Sequence, residues 1–287
     1  MKALVTGGAG FIGSYVVDNL IEKGITPVVF DHRGRTHRED VEVFLGDTRD
    51  YTAVSEAVAI CDGVIHLAGV LGTQETISEP RPSVETNILG GLNVFNAVKH
   101  YKVPAVYIAV GNHWMNNSYS ITKTTAERFA LMYNKEHGTK IAIVRALNAY
   151  GERQKHYPVR KIIPNFILPA LKDEPITIYG DGSQVMDMIY VSDVAEVLVR
   201  ALLNDHNTYD KIFEAGTGRN TTVKEIAEEV IRQVGRGSVN FVPMRPGEIE
   251  NSIVLGNPGT LKPLGDIEFI KLEDGIKMAI KYYKNIL

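Results

Sequence analysis

The chain has 287 residues, 44% hydrophobic and 23% charged, with 31 basic against 34 acidic side chains and a formal charge of −3. That make-up suits a globular chain with a substantial core and excludes a strongly basic binder of nucleic acid or anionic membrane. Cys61 is the one cysteine, so no internal disulfide can form. With no signal-peptide apolar segment and no apolar run of about twenty residues, a cytoplasmic protein is expected.

Residues 2–6 read as a short buried strand, followed by Gly7, Gly10 and Gly13. A helix should follow, with Tyr15, Val16, Leu20 and Ile21 at helical spacing and a stop at Lys23-Gly24. Residues 27–30 form a second buried strand ending at Asp31. This is a βαβ unit with glycines in its first turn, where backbone can approach a pyrophosphate and a helix N-terminus faces the phosphates. Asp31 would accept hydrogen bonds from the adenosine ribose and repel a 2′-phosphate, which favours NAD over NADP. His32, Arg33 and Arg35 follow closely and work against that preference.

Residues 41–45 suit a strand ending at Gly46-Asp47-Thr48, and residues 51–60 a helix. Asp47 could touch the adenine amino group or be a solvated turn residue. Residues 63–67 form a strand, and Leu67, Ala68 and Gly69 leave room for a cofactor against the backbone; His66 reads as structural. A polar loop, 70–82, leads to a helix over 84–100 containing Asn87. Residues 105–110 are a strand, and the loop 111–117 opens a helix from Tyr119 to Gly138. Tyr119 and Lys123 share one helix face. An ammonium beside a phenol favours the phenolate, so the pair is a candidate general base. Strands alternating with helices imply a parallel, doubly wound sheet with its ligand at the carboxyl ends of the strands.

In the order of these features the chain resembles the extended short-chain dehydrogenase/reductase family, in particular its nucleotide-sugar epimerases and dehydratases. The resemblance rests on the run Thr6-Gly-Gly-Ala-Gly-Phe-Ile-Gly13, then Gly46-Asp47, His66 to Ala68, Asn87 and Tyr119 with Lys123. It continues in Asn148, Gly151, Arg153, the run Tyr179-Gly-Asp-Gly182, Asp193, and Arg245 with Glu248. It implies an NAD-binding Rossmann domain over 1–155 to which 187–218 return. A smaller α/β substrate domain is implied over 156–186 and 219–287. It also implies that Gly7, Gly10, Phe11, Ile12, Gly13, Asp31, Asp47, Thr48, Leu67, Ala68 and Gly69 line the cofactor site with Tyr119 and Lys123. The substrate would be a nucleotide-diphosphate sugar, met by Asn112, His113, Asn148, Arg153 and Arg245. A homodimer through helices 84–100 and 119–137 is implied. Neither a metal, a nucleic acid nor a membrane is expected as partner.

Residues 162 onward alternate again: a helix over 165–172, strands at 176–179 and 188–191, and a helix capped by Asp193. A strand follows at 213–215, then a capping box at Thr222 and Glu225 opening a helix to 234, a strand at 239–241 and a helix over 272–283. Arg160 and Lys161 add positive charge, equally readable as a solvated basic loop. Two positions depart from the family. The Ser or Thr that the family places before its tyrosine helix is missing from 108–112, leaving Ser118, Asn112, His113 or a water to stand in. Met186 stands where the family has an arginine for the diphosphate. The Thr-Asp-Glu run of the dehydratases is absent. The expected function is therefore an NAD-dependent nucleotide-sugar epimerase, acting at C4 through a 4-keto sugar. A nucleotide-sugar oxidoreductase, an atypical dehydratase and a non-catalytic NAD-binding sensor are the alternatives.

Overall fold

The structure is a computed structural model that describes residues 1–34, 36–205 and 207–287; Arg35 lies outside the described residues. β1 (Lys2–Thr6), α1 (Phe11–Glu22) and β2 (Thr26–Asp31) make the first unit. β3 (Glu42–Leu45), α2 (Tyr51–Ala59) and β4 (Gly63–His66) follow. One helical rod then runs through α3 (Arg81–Ser83), a π-helical stretch (Val84–Leu89) and α4 (Gly90–Tyr101). β5 (Ala105–Val110), α5 (Ser118–His137) and β6 (Ile141–Ala146) complete the first half.

The second half contains β7 (Asn148–Tyr150), α6 (Ile162–Leu171), β8 (Ile176–Tyr179), β9 (Val185–Met186) and β10 (Met188–Tyr190). Next come α7 (Val191–Leu203), β11 (Ile212–Ala215), α8 (Val223–Val234), β12 (Val239–Val242) and β13 (Ile253–Val254). A 3-10 turn (Pro258–Leu264) and α9 (Leu272–Lys284) end the chain.

Seven parallel strands form the central sheet in the order β11-β6-β5-β4-β1-β2-β3. β1, β4 and β5 are buried on both faces, which is why they read as unbroken apolar runs rather than alternating ones. One face carries a core in which Val16, Val17 and Leu20 of α1 meet Val194, Leu198 and Leu202 of α7. On the other face Val54 and Val58 of α2 meet Val94, Phe95 and Val98 of α4, with Ala126 and Ala130 of α5. A third core, around Phe166, Ile167, Ile226, Val230 and Ile276, holds α6, α8 and α9 together over the carboxyl ends of the strands. Among the described residues no helix is long and apolar enough to cross a membrane.

Local signals account for many of the boundaries. Asn117 caps α5 by accepting the Ser120 N–H, and Gly138 ends the helix in the left-handed region. The Thr222–Glu225 capping box opens α8 as the sequence predicts. Three differences stand out. The rod begins at Arg81 rather than 84, and its first turns after α3 are π-helical, a distortion common at functional sites. Tyr190, not Asp193, caps α7; Asp193 lies in the first turn and accepts the Ile270 N–H at 2.8 Å. The short strands β7, β9 and β13 have no sequence signal, because strands of two or three residues are too short to show a period.

Candidate active site

The glycine turn follows β1. Gly7 has a φ of +71°, and a Cβ on it would sit 2.9 Å from the Ala68 nitrogen of the neighbouring strand end. A Cβ on Gly13 would collide with the Gly7 carbonyl, so α1 can approach the turn only with glycine there. Gly10 faces a cavity of about 1150 Å³ that runs from the carboxyl ends of the sheet strands to residues of α6 and β8. Thr6 holds the floor behind it. Its hydroxyl oxygen accepts the Leu67 and Ala68 N–H groups at 3.2 Å each and lies 2.7 Å from His66 Nδ1. With both lone pairs used, the hydroxyl donates to that nitrogen. Burial pushes the His66 imidazole down to about 3, so it is a neutral structural acceptor.

Gly7, Gly10, Phe11, Ile12, Gly13, Asp31, Asp47, Thr48, Leu67, Ala68 and Gly69 all line this cavity, and so do Tyr119, Lys123, Asn112, Asn148 and Arg245. His113 and Arg153 do not. The His113 ring turns back to the Gly111 carbonyl at 3.2 Å. The Arg153 guanidinium packs over the Tyr15 ring and pairs with Asp18 at 2.8 Å, so it ties the loop after β7 to α1. Asp47 lines the cavity, but its carboxylate is forked by Arg49 at 2.6–3.1 Å, which holds it well below the usual carboxylate range.

Tyr119 and Lys123 open α5, beside the carboxyl end of β5. Lys123 is 3% exposed, and its ammonium lies 4.3 Å over the Tyr107 ring. Tyr107 in turn donates to the Lys123 carbonyl at 3.0 Å. Burial pushes the Lys123 ammonium down to about 7, although Glu127 works the other way. Burial pushes the Tyr119 phenol up to about 12. The spacing alone predicts a phenol lowered by its lysine. The structure has the opposite direction, because burial takes water from both groups and disfavours each charged form.

Of the residues able to replace the missing hydroxyl, Asn112 alone faces the cavity. Ser118 donates to the Thr76 carbonyl at 2.9 Å and is turned away. The Asn112 amide contacts only a thioether, Met115 Sδ, at 3.4 Å, which leaves a strong donor weakly used. Asn87, in the π-helical stretch, accepts the Val70 N–H at 2.8 Å and donates to the Val70 carbonyl and to Thr122 Oγ1. It therefore fixes the loop after β4 against the Tyr119 helix.

Cations gather at the far end, from loops that sequence spacing could not bring together. The Arg245 guanidinium lies 4.7 Å over the Tyr179 ring and pairs with Glu248, yet its buried Nε has no partner. Arg160 donates to the Tyr179 hydroxyl at 2.6 Å. Lys161 lines the cavity with them; burial, with Arg245 near, pushes its ammonium down. Arg160 and Lys161 both line the cavity, Arg160 as an exposed side chain and Lys161 as a partly buried one, and Met186 adds a thioether to the same wall.

A glycine turn, a buried acid at the end of β2 and a tyrosine–lysine pair thus share one cavity. The sequence over residues 3–216 matches the model of the NAD dependent epimerase/dehydratase family. The chain belongs to that family. The residues present fit its coenzyme: Gly10 offers bare backbone where a diphosphate would lie, and Asp31 faces the adenosine end. A Methanocaldococcus jannaschii protein assigned as a UDP-glucose 4-epimerase is 30% identical over 98% of both chains. A UDP-N-acetyl-alpha-D-glucosaminuronate decarboxylase of Bacillus cytotoxicus is 27% identical over 99% of this chain and 98% of its own. The crystal structure of Thermus thermophilus UDP-glucose 4-epimerase in complex with NAD superposes with a TM-score of 0.89 at 29% identity, covering all of both chains.

Proposed function

We propose that the protein is an NAD-dependent epimerase of UDP-linked sugars, inverting C4 through a transient 4-keto sugar. The observation that carries this is the placement of Tyr119 and Lys123 between the glycine turn and the cation cluster, in one cavity. Tyr119, a phenol that burial keeps neutral, takes the proton from the sugar hydroxyl as general base once positive charge from NAD⁺ bound beside it favours its phenolate. NAD, when bound, would supply the acceptor for the C4 hydride and the donor that gives it back to the other face of the ketone. Lys123 holds the coenzyme ribose and adds positive charge near the phenol. Arg245 and Lys161 grip the diphosphate, with the guanidinium suited to a forked contact. Asn112 donates to the reacting oxygen in place of the missing hydroxyl. An amide cannot relay a proton, so Tyr119 receives it directly.

The second lobe, residues 156–186 and 219–287, is on this reading the part that seats the sugar nucleotide. The π-helical stretch before α4 leaves Leu89, and α5 leaves Ile121, each 51% exposed, with Met132 of α5 38% exposed. We assign that face to a homodimer, which light scattering on the purified protein tests. The single buried thiol, Cys61, fits a reducing compartment, and we place the protein in the cytoplasm.

The test is incubation with UDP-glucose, UDP-N-acetylglucosamine and UDP-glucuronic acid, followed by NMR of the products. C4 epimers without net NADH support the reading. Release of carbon dioxide, in line with the decarboxylase relative, or net reduction of added NAD would replace it.

A further inference from the structure

Asp31 is 2% exposed at its side chain and lies at the adenosine end of the cavity. Its Oδ1 accepts the Arg33 backbone N–H at 3.0 Å and Arg33 Nε at 3.1 Å. Its Oδ2 accepts the Ala9 N–H at 3.2 Å and Arg33 Nη2 at 3.3 Å. A carboxylate has about four lone-pair sites, and four donors fill them. In this arrangement Asp31 has nothing left for a pair of ribose hydroxyls. Two of the four donors belong to the peptide backbone and cannot leave. The other two belong to one guanidinium.

That guanidinium can leave. The Arg33 side chain is 39% exposed, lines the cavity, and holds its Nη2 4.0 Å from where a Cβ on Gly10 would be. It therefore sits over the glycine turn, beside the position of an adenosine ribose. The other charged or titratable side chains lining this end, among the described residues, are His32, Asp47 and Arg49. Asp47 and Arg49 are closed on each other. His32 is 75% exposed, with Nδ1 3.5 Å from Asp31 Oδ1. Among the described residues Arg33 is thus the cation placed to answer a new anion there.

We propose that Arg33 is a latch on the coenzyme site that decides between NAD and NADP. It must swing off Asp31 before any adenosine ribose is held. Once off, it forks a 2′-phosphate, so the site that binds NAD also admits NADP. Asp31 disfavours the phosphate and Arg33 offsets it, since arginine–phosphate pairs are bidentate and strong. For NAD the latch is only a competitor, and removing it helps.

The experiment titrates NAD⁺ and NADP⁺ against the fluorescence of NADH bound to the purified protein, for the parent, Arg33→Ala and Arg33→Lys. In the parent the midpoint for NADP⁺ is expected within about thirtyfold of that for NAD⁺. In Arg33→Ala the ratio of the two midpoints grows at least about thirtyfold, with NAD⁺ binding more tightly than before. Arg33→Lys keeps a cation without the fork and falls between the two. Binding of NADH to every variant shows that the site is folded. A parent ratio above about thirty, an unchanged ratio in Arg33→Ala, or weaker NAD⁺ binding in that variant overturns the proposal.

Discussion

The two ends of the cavity are built on opposite plans. At the adenosine end the acids are already partnered from within the chain: Asp31 by Arg33 and the backbone, Asp47 by Arg49. At the other end polar groups are held short of partners. Arg245 Nε is buried and unpaired, the Asn112 amide meets only a thioether, and Tyr119 and Lys123 are both pushed toward their neutral forms by burial. A site that must hold one coenzyme through many turnovers can satisfy itself. A site that must stabilise charge on a passing substrate gains from groups kept dry and incompletely bonded.

Breaking the substrate end at its base has the largest expected effect. Tyr119→Phe removes the proton acceptor and should lower kcat by about 10²–10⁴-fold with NAD content unchanged; retained turnover would sink the mechanism. Breaking the adenosine end comes next. Gly13→Ala places a Cβ against the Gly7 carbonyl and should cost about 1–3 kcal/mol of stability together with loss of bound NAD, read by thermal unfolding and nucleotide analysis. Arg245→Ala should raise KM by about 10–100-fold, leaving kcat far less changed, if its contact is with the diphosphate. Asn112→Ala should lower kcat by about tenfold, as expected for one donor to a reacting oxygen of modest charge, and Asn112→Ser should recover most of it.

The last effect is on stability rather than turnover and concerns charge burial. Lys123 titrates near 7 in the fold against about 10.4 in an unfolded chain. A base with a lowered folded value contributes stability above its unfolded pKa and loses it as pH falls through the folded one. Lys123→Met should therefore unfold at a higher temperature than the parent at pH 7, with the gap closing as pH rises toward 10. A gap independent of pH would mean that packing, not charge, sets the difference.

How far the sequence could be read follows the same division. The first βαβ unit was legible because its constraints are local: a strand buried on both faces, glycines forced by backbone geometry, an acid at a strand end. The Tyr119–Lys123 pair was legible as a pattern, but the direction of its proton affinities was not, since that depends on burial, which the spacing of two residues does not show. Lys161 was equally readable as solvated because nothing local says that its loop meets Arg245. Arg153 shows the converse. It follows a motif that resembles the family's, yet Asp18 and the Tyr15 ring, far away in the chain, claim its guanidinium. The fork of Arg33 on Asp31 joins residues two apart, but only the folded loop shows that it fills every acceptor.

The central sheet has one further consequence. Its edge next to β6 is supplied by β11, from the second half of the chain, and α7 covers the face beside it. The halves are therefore not modules that could be exchanged by a single cut. A fragment ending near residue 155 would keep the whole glycine turn and the tyrosine–lysine pair and still present β6 as a raw edge, open to pairing with another chain. Only a graft that carries residues 187–218 along with the first half would transplant the coenzyme site as a working part.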